Sequence, residues 1–138
     1  MKSFSKEALK IIREAEVATL SALGKDGTIL STLVWFEFDG ETFQINTGRG
    51  SAKEINISQR KVATLLFTDP NSTDYYVTAR CELDRIQTEG ALIQLDRLTK
   101  RHMNVEHWYG DVVADDEESK ARSIIIHLKP VRLFEALS

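Results

Sequence analysis

Along most of this chain apolar and polar residues alternate with a period of two, as strands with one face on a core do, and three stretches switch to helical spacing. Phe4-Ser5-Lys6-Glu7-Ala8-Leu9 opens the first helix. Ser5 is placed to cap it, Phe4 to staple onto Leu9, and Leu9, Ile11 and Ile12 form its buried stripe before an end near Arg13 or Glu14. Val17–Leu23 then reads as a strand, Gly24-Lys25-Asp26-Gly27 as a hairpin loop, Thr28–Phe38 as one long strand, and Asp39-Gly40 as a tight turn into Glu41–Thr47. These three strands form a meander. A short helix from Ser51 to about Ser58 follows, then the apolar strand Val62–Thr68, expected to be covered on both faces. After the loop Asp69–Thr73, Tyr75–Ile86 is a long strand with Val77, Ala79 and Cys81 on one face and Tyr76, Thr78 and Arg80 on the other. Glu89–Met103 has helical spacing through Leu92, Leu95, Leu98 or Thr99, and His102. Val105–Gly110 and the acidic run Asp115–Glu118 read as a surface excursion. Ser123–Leu128 is a buried strand, Pro130 breaks or bends it, and Val131–Leu137 closes the sheet. Six or seven antiparallel strands with three short helices predict a small barrel, since closure removes the exposed edges of such a sheet.

One stretch departs from the alternation in a way that suggests chemistry: Thr47-Gly48-Arg49-Gly50-Ser51-Ala52-Lys53-Glu54-Ile55-Asn56-Ile57. Two glycines free the backbone to turn, and Ser51 with Glu54 three residues on forms a capping-box pattern. The free N–H groups of a first helical turn suit an anion, with Arg49 as a forked donor and Lys53 as a point charge beside it. Arg49, Lys53, Arg60 and Lys61 stand against the single acid Glu54, in a chain whose net charge is −3. The pattern fits a phosphate-binding turn, and equally a hairpin exit followed by a solvated helix.

Length and composition narrow the classes. A chain of 138 residues, 42% hydrophobic and 28% charged, is one ordinary globular domain over residues 1–138. Its acidic balance argues against a general nucleic-acid or membrane-surface binder. No apolar stretch reaches signal-peptide or membrane-spanning length, which makes the cytoplasm the default expectation. Cys81 is the sole cysteine, so no internal disulfide forms, and in a strand without an activating neighbour it reads as an inert buried thiol. His102, His107 and His127 fit no metal spacing and read as satisfied structural histidines; no metal is expected. No Gly-x-Ser-x-Gly elbow supports a hydrolase, and the catalytic residues stay unassigned. Trp35, Trp108, Tyr75, Tyr76 and Tyr109 are the side chains suited to a planar ligand. Trp35 within Val34-Trp35-Phe36 also suits a barrel wall, and Trp108 and Tyr109 an interface, a ligand lid or the core.

Ala18-Thr19-Leu20, Lys25-Asp26-Gly27, Val34-Trp35-Phe36, Asp39-Gly40, Thr47 to Ser51 with Lys53 and Asn56, and Thr68-Asp69-Pro70, taken in this order, resemble the pyridoxamine 5′-phosphate oxidase-like split β-barrel family. Among its branches the chain is most similar to the small oxidoreductases that use the deazaflavin coenzyme F420. The resemblance covers Glu14–Glu82 well and, more loosely, the helix around Leu92–Arg101 and the closing strands. It departs from the family where Arg60-Lys61 replaces a proline after the short helix and Cys81 replaces a glycine in the long strand. The resemblance implies a mainly β fold, a six- to seven-stranded antiparallel split barrel with short peripheral helices. It also implies a homodimer with F420 or FMN in grooves between subunits and a hydride passed to a small-molecule substrate. Thr47, Arg49, Ser51, Lys53 and Asn56 are then expected at the cofactor phosphate. Ser31 and Thr32 on the second strand, with Trp35, are expected along the ring, and Trp108 or Tyr109 is expected to cap it from the other subunit. A flavin carrier or sensor without turnover, and a barrel that binds another anion, are the competing readings.

Overall fold

The computed structural model describes residues 4–136. Among these, helices α1 (Lys6–Glu14), α2 (Ala52–Arg60), α3 (Ala91–Met103) and α4 (Glu117–Ala121) accompany seven strands: β1 (Ala18–Leu23), β2 (Ile29–Val34), β3 (Glu37–Phe38), β4 (Phe43–Gly48), β5 (Val62–Asp69), β6 (Ser72–Gln87) and β7 (Ser123–Ala136). All seven lie in one sheet, in the order β2-β1-β5-β6-β7-β4-β3, and every pairing is antiparallel. Its two edge strands, β2 and β3, are joined only by Trp35 and Phe36. The sheet therefore curls until its ends meet through one bent stretch of chain. That is the expected mainly β, seven-stranded split barrel.

The bend corrects the long second strand expected over Thr28–Phe38. Its first half pairs with β1 and its second half with β4. Consecutive side chains point to opposite faces. Phe36 enters the core against Phe67, with ring centroids 5.0 Å apart, while Trp35 faces away from it. Phe43, Phe67, Leu20, Ile45, Leu65, Ile124, Ile126 and Leu128 fill the interior, and Phe4 lies edge-on to Phe38 and Phe43. Cys81 is wholly buried among them, which pushes its thiol up to about 12. It points into the core, an inert thiol.

Three further expectations change. β5 is covered on one face only: Ala63, Leu65 and Phe67 are buried, while Val62 is exposed. The two expected segments around Pro130 are one strand, β7, bent there by a register shift: Arg80 faces Arg132 and Cys81 faces Pro130, leaving Val131 as the extra residue of a bulge. A bulge tolerates the missing N–H of proline. Leu137, the expected end of that strand, lies outside the described residues. The acidic run forms the start of a fourth helix, where Asp116 accepts from the Glu118 N–H at 3.2 Å and the Ser119 hydroxyl at 2.6 Å. In α1 the capping is as expected, with Ser5 accepting from the Ala8 N–H at 3.0 Å. Its buried stripe is Ala8, Ile11 and Ile12, with Leu9 half-buried. No helix of the described residues is long and apolar enough to cross a membrane.

Candidate functional site

The bend at Trp35 and the turn after β4 open onto one cleft of about 410 Å³. Its walls are Leu33, Trp35, Leu95, Leu98 and Trp108, and its polar groups are Asn46 and Lys53. Trp35 is held from two sides. The ring of His102 stacks on it at 4.9 Å and 9°, and Trp108 meets it edge-on at 5.9 Å and 89°. His102 comes from the last turn of α3, on the same face as Leu95 and Leu98. Burial, then the charge of Arg101, holds its pKa below the ordinary histidine range. Its Nε2 is buried without a partner, and Nδ1 lies 3.7 Å from Glu16. The expectation of a satisfied histidine fails at this position. It holds for His127, whose Nε2 lies 2.8 Å from Gln87 Oε1 and Nδ1 3.3 Å from Thr42 Oγ1.

The backbone of Trp108 is anchored within its own chain. Asp96 on α3 accepts from the Trp108 N–H at 3.1 Å and from the His107 ring at 2.9 Å, and His107 N–H donates to Asp111 at 2.9 Å. The Asp96 carboxylate raises the His107 pKa above its ordinary value. On the opposite wall, Asn46 donates to the Ala91 carbonyl at 2.8 Å and to Gln94 at 3.1 Å, and Gln94 donates to Glu37, which also accepts a two-pronged bond from Arg97. This network ties α3 to β3 and β4, the two strands beyond the bend.

The turn itself is ordered. Gly50 sits at φ +89°, a conformation open to glycine and strained for other residues. Ser51 N–H donates to the Gly48 carbonyl at 3.2 Å, and Thr47 and Ser51 share a hydroxyl bond of 3.0 Å. Ser51 Oγ accepts from the Glu54 N–H at 3.3 Å, and Glu54 Oε1 accepts in return from the Gly50 N–H at 3.0 Å. The capping box is thus present, reaching back one residue further than the usual form. The N–H groups of Ala52 and Lys53 open the helix, where no preceding turn supplies carbonyls. Lys53 is half-buried, desolvation holds its ammonium below the usual lysine range, and among the described residues no carboxylate lies within ion-pair distance of it.

The residues singled out from sequence fall into three groups. Trp35, Lys53 and Trp108 converge on the cleft. Thr47 and Ser51 build the turn beside it, and Asn56 is half-buried on α2, one turn further along. Arg49 is directed elsewhere: its N–H donates to the Arg122 carbonyl at 2.8 Å and its guanidinium to Thr88 Oγ1 at 3.4 Å. Ser31 is bonded to Ser21 at 2.8 Å on edge strand β2, and the neighbouring Thr32 Oγ1 is buried without a partner. Asn46, Leu33 and His102 were not singled out for the site. The helical phase Leu95–Leu98–His102 carried the signal for the histidine, and Asn46 sits immediately before the turn in a run read only as strand.

The family model of pyridoxamine 5′-phosphate oxidase matches residues 4–135, and the chain belongs to that family. Solved structures share its fold. An F420 reductase superposes with a TM-score of 0.81 at 18% identity, covering 95% of this chain and 98% of its own. The conserved hypothetical protein Rv2991 of Mycobacterium tuberculosis gives 0.71 at 18%, covering 99% and 89%. HupZ of Group A Streptococcus gives 0.63 at 19%, covering 98% and 95%. At such identities the likeness is one of fold. No curated protein sequence matches the chain.

Proposed function

We propose that this protein is an oxidoreductase that holds F420 or FMN in the cleft beneath Trp35 and Trp108, with the cofactor phosphate at the Thr47–Asn56 turn. The observation that carries the reading is Lys53: a half-buried cation with no carboxylate within ion-pair distance among the described residues, at the polar end of an aromatic-walled cleft. When bound, the ring supplies hydride chemistry to a small-molecule substrate. The chain supplies position. Ala52 and Lys53 N–H, the Lys53 ammonium and the Ser51 and Thr47 hydroxyls hold the phosphate, with Asn56 facing it from the next turn. Trp35, braced by His102, sets the plane of the ring. Edge strand β2 has no neighbour on its outer side among the described residues, and its backbone groups near Ser31 and Thr32 line the ring's edge.

The same edge supports a homodimer. Ile29 is 68% and Leu33 70% exposed beside the cleft, and pairing two chains there covers them and completes a groove between subunits. Sedimentation of the cofactor-loaded protein as a 15.6 kDa species would contradict the pairing. A carrier or sensor is the second reading, favoured by the absence of a carboxylate or histidine acid–base pair among the cleft's lining residues. Titrating the apoprotein with F420 and FMN side by side tests the binding, and saturable quenching of tryptophan emission is expected. Absence of quenching by either cofactor sinks the proposal. Turnover with a reductant and an acceptor separates enzyme from carrier.

A further inference from the structure

The turn that would take the phosphate already holds a negative charge of its own. Glu54 is anchored at both oxygens: Oε1 accepts from the Gly50 N–H at 3.0 Å and Oε2 from the Ser58 hydroxyl at 2.8 Å. Gly50 N–H is therefore unavailable to a ligand. Ser51 Oγ accepts from the Glu54 N–H and shares a bond with Thr47, which leaves its O–H able to turn to a ligand. Of the two cations near the turn only Lys53 lines the cleft, while Arg49 is bonded to Thr88 and, through its backbone, to Arg122. One cation and one fixed carboxylate leave little net positive charge for an incoming anion. Two further amides, of Ala52 and Lys53, offer dipoles but no charge.

We infer that Glu54 makes this turn selective for a phosphate diester, which carries one negative charge, over a phosphate monoester, which carries nearly two. This rests on the proposed cofactor site and deepens it. A monoester has about −1.5 to −2 charge at neutral pH and brings three acceptor oxygens, of which the second charge meets the Glu54 carboxylate across the same turn. A diester has one charge and two free oxygens, matched by one ammonium and two amides. Coenzyme F420 carries its phosphate as a diester and FMN as a monoester, so at the phosphate group itself Glu54 favours the deazaflavin.

The test holds the ring constant. Riboflavin, FMN and riboflavin 5′-(methyl phosphate), the matching diester, are titrated at pH 8 against the wild-type apoprotein, Glu54→Gln and Lys53→Ala, with binding read from fluorescence. Glutamine keeps an acceptor for Gly50 and removes only the charge. In the wild type the diester is expected to bind about tenfold more tightly than FMN. Glu54→Gln is expected to tighten FMN about tenfold and change the diester less than twofold. FMN binding as tightly as the diester to the wild type overturns the inference, as does a ratio unchanged by Glu54→Gln. Failure of the site reading looks different: both phosphorylated flavins then bind like riboflavin and ignore Lys53→Ala. Glu54→Ala, which also removes the bonds to Gly50 and Ser58, must move FMN affinity in the same direction as Glu54→Gln.

Discussion

His127, buried, and His102, half-buried, both have pKa values held low mainly by desolvation, and they lie in regions built on different rules. His127, between β4 and β6, has a partner for each ring nitrogen. His102, against the cleft wall, spends its ring face on Trp35 and leaves Nε2 bare. The contrast extends beyond the two rings. Inside the barrel Phe36, Phe43 and Phe67 pack on one another and Cys81 is silent. Along the cleft Lys53 has no carboxylate within ion-pair distance among the described residues, and Leu33 stands in solvent. A stable fold satisfies its buried polar groups. Polar and apolar groups left over on one wall mark a surface shaped for something other than the chain itself.

The comparison can be broken by substitutions that treat the two regions alike. Phe67→Ala should cost about 3–5 kcal/mol in a denaturant melt, since it empties the centre of the barrel, and should leave affinity of the folded fraction for FMN unchanged. A cost below about 1 kcal/mol would mean that the aromatic core is not what holds the barrel. His127→Phe should cost about 1–3 kcal/mol, because Gln87 and Thr42 lose their partner. His102→Phe keeps the stack on Trp35 and removes an unpaired nitrogen, so it should be neutral or stabilising. Equal losses at the two positions would erase the distinction drawn between barrel and cleft.

Ser51→Ala belongs to both regions. It should lower stability by about 1 kcal/mol through the lost cap and should also weaken cofactor binding. Loss of stability with affinity untouched would separate the turn from the ligand. The smallest effect is a matter of pH. Asp96 raises the His107 pKa in the folded protein, so the stabilisation is full below about 6.5 and fades as pH rises through the higher folded value. Quenching of Trp108 by acrylamide should therefore increase over that window, and His107→Gln should flatten the curve. A flat wild-type curve would show that the His107–Asp96 contact does not govern Trp108.

Much of this was legible in the sequence, and the exceptions have physical causes. The strands announced themselves by alternation, α1 and α2 by their caps, α3 by its spacing, and the turn by Gly50, Ser51 and Glu54, because each is a local rule. The break at Trp35-Phe36 was not visible, since two consecutive aromatics suit a continuous strand as well as a corner. Only closure of the sheet decides between them. Pro130 pointed to an irregularity, but whether the strand stopped or bulged depended on its pairing with β6. For the site, residue type pointed to Lys53, Trp35 and Trp108, which line one cleft, and to Arg49, whose guanidinium is bonded to Thr88 across a sequence distance that no local rule covers. His102 shares its ring with Trp35 across a distance in sequence that no spacing rule covers.

The central claim is that the unpaired ammonium in the cleft awaits a phosphate. Fluorescence titration of the wild type and Lys53→Ala with F420 and FMN tests it directly. A charge-assisted, sheltered bond contributes about 1.5–3 kcal/mol, so Lys53→Ala should weaken whichever cofactor binds by roughly ten- to a hundredfold. Thermal stability of the cofactor-free protein should hold or rise, because removing the lysine also removes its desolvation. Unchanged affinity in Lys53→Ala would contradict the account and return the turn to a plain helix cap.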